Sequence, residues 1–143
     1  MSKRIYVEAA LIERQRGGPC GGTGLVVLDD HLCIANEESH RIEGNTDLMR
    51  LDLLALIHGL KYASDGDVIK LSSEYCFNGF HEWLDGWKRR GWRKANKKPI
   101  ANGELWQLVD RLRAEKFVEV EKADFCAAAK VAAYKLAYSA ASR

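Results

Sequence analysis

The chain has 143 residues, 47% hydrophobic and 29% charged, with 22 basic and 20 acidic side chains, the make-up of one ordinary soluble globular domain spanning residues 1–143. No apolar run approaches the ~20 residues that span a bilayer, and the amino terminus lacks a signal-peptide pattern, which points to a cytoplasmic protein with no membrane partner. Cys20, Cys33, Cys76 and Cys126 are scattered without a Cys-x-x-Cys pair, so reduced thiols are expected rather than zinc or a disulfide framework.

Arg4 to Ala10 alternates around Ile5, Val7 and Ala9 and reads as a strand. Glu13 to Gly22 is a polar, glycine-rich turn; Thr23 to Leu28 is a second strand, and His31 to Ile42 the third of a meander. From Asp47 to Ala63 the period changes. Leu48, Leu51, Leu53, Leu54, Leu56, Ile57 and Leu60 outline an apolar helical face that Thr46 or Asp47 can cap. Val68 to Ser72 reads as a buried strand, Glu74 to Leu84 and Gly103 to Ala114 as helices, Phe117 to Glu121 as a strand, and Cys126 to Ala141 as an alanine-rich last helix. The order βββαβααβα predicts an α/β fold: a five-stranded mixed sheet, antiparallel first and parallel later, flanked by helices.

All four tryptophans (Trp83, Trp87, Trp92, Trp106) fall between positions 83 and 107, together with Lys88, Arg89, Arg90, Arg93, Lys94, Lys97 and Lys98. That stretch carries a net +5 against −3 for the remainder. Cations displace counterions from phosphates and indole faces pack on sugars or bases, so the stretch has the chemistry of a nucleic-acid grip. Trp83 and Trp106, at its ends, read equally well as core residues. The charge interleaved from Trp87 to Lys98 argues against all the indoles being core.

The motif Trp83-x-x-x-Trp87-Lys88-x-Arg90-Gly91-Trp92, followed by Lys97-Lys98-Pro99 and Leu105-Trp106-Gln107, resembles the basic handle of bacterial-type ribonuclease H. Arg50-Leu51-Asp52-Leu53-Leu54-Ala55 similarly resembles the family's first-helix motif, Arg-Ala-Glu-Leu-x-Ala. The resemblance covers nearly the whole chain. It implies the ribonuclease H-like fold, an RNA–DNA hybrid or duplex as partner, and metal-dependent cleavage of the RNA strand by two magnesium ions held between four carboxylates.

Only two of those carboxylates are expected here. Glu8 stands where the family has the first-strand aspartate, one methylene longer, and Asp52 where the helix carries glutamate, one shorter. Ser72 takes the fourth-strand position, and Tyr134, in Tyr134-Lys135-Leu136-Ala137, is aligned with the last-helix aspartate. Asp124 falls at the loop position of a catalytic histidine. Ala9, Leu48 and Met49 fall where the family reads the RNA strand, with Asn45 nearby but out of register.

Two carboxylates oppose four metal charges with two, so only weak or absent metal binding at Glu8 and Asp52 is expected. The leading expectation is a homologue without nuclease activity, or strongly impaired, that binds nucleic acid through its handle and needs no cofactor. A rebuilt nuclease using Mg²⁺ or Mn²⁺, with Glu74, Glu121 or Asp124 as surrogate ligand, is the first alternative. A scaffold or decoy acting through a protein partner is the second.

Overall fold

The computed structural model describes residues 2–143 apart from positions 14–16, 45, 125 and 126. Expectations placed on Asn45 and on Cys126 therefore lie outside the described residues. β1 (Arg4–Ile12), β2 (Cys20–Leu28) and β3 (Ile34–Ile42) form an antiparallel meander. β4 (Val68–Leu71) pairs in parallel with β1, and β5 (Glu119–Lys122) in parallel with β4. The order β3-β2-β1-β4-β5 puts β1 at the centre, the mixed α/β sheet expected.

Five α-helices flank the sheet: α1 (Leu48–Tyr62), α2 (Glu74–Asn78), α3 (Leu84–Arg89), α4 (Gly103–Glu115) and α5 (Ala128–Ser142). Asp47 caps α1 by accepting the Arg50 N–H at 2.8 Å, which fixes where the helix starts. Leu51, Leu53, Leu56, Ile57 and Leu60 then bury against the sheet with Ile5, Val7, Leu25, Val27 and Ile69. Each such side chain contributes roughly 1.5–3 kcal/mol on burial. On the opposite face α5 presents Ala133, Ala137, Ala140 and Ala141, all fully buried.

Three departures from the expected elements have physical causes. β2 begins at Cys20 rather than Thr23, because Gly21 and Gly22, which read as turn residues, serve in the strand as contact points. A Cβ on Gly21 would run into the Leu51 side chain, and one on Gly22 or Gly24 would collide with the carbonyl of Ala137 or Ala133. Glycine here lets helices press on the sheet from both sides. The helix expected over 74–84 is divided by a π turn at Gly79–Trp83; Gly79 lies against the Trp106 ring, where a side chain would clash. β5 starts two residues late, since the Phe117 N–H is bound by the Asp65 carboxylate (2.7 Å) and its ring is largely exposed.

The β2–α5 contact is the tightest of these. Gly24→Ala should destabilise the protein by about 1–3 kcal/mol, the usual range for overpacking, whereas Gly66→Ala, at a left-handed turn with open space, strains only the local backbone. Urea denaturation of both variants checks this; equal stability of Gly24→Ala and the parent would contradict the packing.

Candidate active site and basic handle

Side chains of directly opposed residues in an antiparallel pair share a face. Glu8 is opposite Gly24, whose missing Cβ would meet α5, so the Glu8 carboxylate projects to the α5 side. Val7 is paired with Leu71, which brings Ser72, just past the end of β4, beside Glu8. The Ser72 hydroxyl donates to Glu8 Oε2 at 2.6 Å. Asp52, one residue after buried Leu51 on α1, reaches the same end of the sheet and accepts a hydrogen bond from the Ser73 hydroxyl. Ser73 also caps α2 by accepting the Cys76 N–H at 3.1 Å.

The electrostatics follow from that crowding. Burial raises the Glu8 pKa, against the Ser72 hydrogen bond and the positive charge of Lys130, which both act to lower it. Burial and the nearby Glu8 charge push Asp52 up to about 7, with the Ser73 hydroxyl opposing. Burial likewise pushes the Cys76 thiol up to about 12. The carboxylates thus behave as an interacting pair that resists double ionisation.

Tyr134, aligned with the last-helix aspartate, is half exposed in a shallow groove with Val131 and Tyr138, its ring 6.4 Å from that of Tyr138. The α5 residue whose charge acts on Glu8 is Lys130, one turn earlier. An alanine-rich helix gives few register marks: Lys130-Val131-Ala132-Ala133 and Tyr134-Lys135-Leu136-Ala137 both end on a buried alanine. A lysine in a helix's first turn was the available signal, since it opposes the helix dipole unless an acid faces it.

The surrogate carboxylates have other partners. Glu121 is paired with Lys70 at 2.6 Å and Glu74 with Lys122 at 3.2 Å. Asp124 is exposed and lines a surface pocket with Arg4, Tyr6 and Lys70. Ala9 is buried, whereas Leu48 and Met49 stand exposed at the start of α1. His58 sits under β2 against Thr23 Oγ1 (2.8 Å) and His81 against the Val120 carbonyl (2.7 Å).

The basic stretch divides into a base and a tip. Trp106 is fully buried, and its indole N–H donates to the Tyr75 hydroxyl at 2.9 Å. Trp83, Trp87 and Trp106 stack in series, with centroids 5.7 Å and 5.4 Å apart, and Trp92 packs on the same core. Trp106 is thus core, while Trp83, Trp87 and Trp92 are partly buried at the base of the handle. Charge anchors α3 as well: Lys88 pairs with Asp110 at 3.1 Å, and Arg113 bridges Asp110 and Asp85 at 3.0 and 2.6 Å.

Beyond Lys88 the chain turns through positive φ at Gly91, Trp92 and Lys97 and closes on an Arg93–Pro99 bridge. Arg90 Nε and Arg93 Nη1 donate to the Arg93 and Lys97 carbonyls, bracing this loop. Arg89, Arg90, Arg93, Lys94, Lys97 and Lys98 are all exposed, and among the described residues none of the six is in a salt bridge.

Residues 2–125 match the family model described as RNase H. The chain belongs to the ribonuclease H family. Curated relatives named Ribonuclease H include one from Halorhodospira halophila, 39% identical over 78% of this chain and 75% of its own, and one from Cupriavidus necator, 37% identical over 76% and 72%. The fold is similar to that of the foamy viral protease-reverse transcriptase solved with double-stranded DNA (TM-score 0.87, 18% identity, 98% of this chain and 94% of that one). It is also similar to a type 1 ribonuclease H carrying a type 2 active-site motif (TM-score 0.78, 23% identity, 98% and 72%). A third similar fold is LC11-RNase H1, solved with an RNA/DNA hybrid (TM-score 0.70, 18% identity, 99% of this chain and 97% of that one).

Ribonuclease H enzymes use Mg²⁺ or Mn²⁺. Paired divalent ions need a surplus of oxygen anions in strict geometry. Here two carboxylates, one of them bound by a hydroxyl and facing an ammonium, are a poor fit to that demand. Among the described residues no three His, Cys, Asp or Glu side chains are grouped to hold a metal ion.

The Asp52 pKa has a consequence for stability. Its folded value, about 7, lies above the usual carboxylate value of 3.8, so the stabilisation is full at low pH and is lost as pH rises toward and through 7. Asp52→Asn should therefore be more stable than the parent at pH 8, by about 1–2 kcal/mol, with the difference shrinking toward pH 5. Urea melts at the two pH values check the sign.

Proposed function

We propose that this chain binds nucleic acid, RNA–DNA hybrid or duplex, through its basic handle and has lost, wholly or nearly so, the two-metal hydrolysis of ribonuclease H. The observation that carries the proposal is the pairing of a cationic tip with a site in which Glu8 and Asp52 are joined by Ser72 and by the charge of Lys130 rather than by further carboxylates. The tip supplies affinity. Arg89, Lys94, Lys97 and Lys98 have no backbone-bracing side-chain bond and extend from a platform held by the tryptophan series and by the Lys88–Asp110 pair. Solved relatives of the fold that hold an RNA/DNA hybrid or double-stranded DNA support the choice of ligand.

A working nuclease remains the second reading, because Glu8 and Asp52 still lie close enough for one charge to shift the other's pKa. It requires a third carboxylate. Glu121 and Glu74 would each have to leave a lysine, which makes Asp124 the one candidate of the three without such a pair among the described residues.

The test uses a labelled RNA–DNA hybrid and pure protein. Cleavage should be absent or very slow with either Mg²⁺ or Mn²⁺, while binding persists and weakens steeply with salt. Replacing Arg89, Lys94, Lys97 and Lys98 together with alanine should weaken binding by about tenfold or more at low salt, the result of losing several phosphate contacts. Robust chelator-sensitive cleavage that Asp52→Asn abolishes would establish the nuclease instead.

A further inference from the structure

Lys130 is the one feature of the site that the loss of carboxylates does not explain. A serine or an alanine would have sufficed to remove a metal ligand. A lysine puts a charge of the metal's own sign next to the surviving carboxylate. Its place is set by packing: the Ala133 carbonyl covers Gly24 and the Ala137 carbonyl covers Gly22, so α5 cannot slide along β2. Glu8 is the cross-strand partner of Gly24 and points to the same face. Lys130 lies one turn before Ala133, is half-buried, and is near enough for its charge to act on Glu8.

We propose that Lys130 receives a backbone phosphate of bound nucleic acid at this site, so that the strand lies across it without any divalent ion. The inference rests on the nucleic-acid-binding reading above and adds to it a second contact on α5, the helix covering the face of the sheet opposite the core on which the handle's base packs. The chemistry is that of a phosphodiester oxygen. In a site of carboxylates alone that oxygen meets only like charge, and a metal ion has to bridge the repulsion. An ammonium carries three donors and can serve a carboxylate and a phosphate together. Glu8, held by the Ser72 hydroxyl at 2.6 Å, then acts to position the ammonium and not to ligate metal. Lys130 also occupies the first turn of α5, where its charge opposes the helix dipole, a local cost that an anionic neighbour offsets.

The experiment measures hybrid affinity by fluorescence anisotropy across a salt series, in EDTA and in Mg²⁺ at matched ionic strength. The parent should bind equally, within about twofold, in both buffers, and Lys130→Glu should weaken binding by about tenfold, or about 1.4 kcal/mol. Lys130→Gln should lower the slope of log Kd against log salt by about one, the signature of a single lost phosphate contact that a merely structural change would not give. If Lys130→Glu fails to fold, as judged by circular dichroism, the Lys130→Gln slope alone decides. An unchanged slope, or parent affinity that depends on Mg²⁺, overturns the proposal while leaving the handle reading intact provided the four-residue tip variant still loses affinity. Absence of hybrid binding by the parent overturns both.

Discussion

The close approach of α5 to β2 governs this molecule. Gly22 and Gly24 offer no side chain, and Ala133, Ala137, Ala140 and Ala141 offer only methyl groups, so helix backbone lies almost on strand backbone. Interiors packed this tightly do not deform continuously. The helix therefore has one register, and that register decides which residue stands over Glu8. It is a lysine. The charge of the site, its poor fit to paired cations and the exposure of Tyr134 all follow from a steric fact about glycine and alanine.

Much of this was legible in the sequence, and the failures have identifiable causes. The apolar period of α1 marks that helix nearly to the residue because it buries one face, and the apolar run of β1 marks a central strand whose two faces are both covered. Cys20-Gly21-Gly22 read as a turn because glycine marks flexible chain far more often than a helix contact. Along α5 the fully buried positions are all alanine, with Leu136 partly buried beside Gly24, so composition marks its turns only weakly. Glu8, Asp52 and Ser72 are candidates through the resemblance to ribonuclease H, and the structure places Ser72 against Glu8 and the Glu8 charge within reach of Asp52. The serine's hydrogen bond to Glu8 was not legible, since it depends on the β1–β4 pairing of distant segments.

In the handle, interleaved tryptophan and arginine suggest rings and cations facing one ligand. In the structure the two types are sorted by direction, rings inward to Tyr75 and Trp106, cations outward. A short helix followed by a turn with three residues at positive φ (Gly91, Trp92 and Lys97) can do this, because successive side chains diverge where the backbone is not regular. The indoles hold the platform steady, which limits the entropy lost when the exposed cations engage a polyanion.

A rigid cationic platform and a nearly neutralised cleft are complementary in what they ask of a ligand. On the proposed reading the tip engages phosphates through charge, since six of its lysines and arginines are exposed without a salt bridge among the described residues. Discrimination must then come from shape where the strand crosses the sheet edge. There, exposed Leu48 and Met49 replace the polar groups the family uses, and apolar side chains favour sugar and base faces over hydrogen-bonding edges. The physical expectation is a surface that holds duplexes by groove geometry and charge, with little power to tell one strand's sugar from the other's. In the proposed function, loss of hydrolysis and of RNA readout are one change, because the resemblance puts both sets of polar groups at β1 and the start of α1.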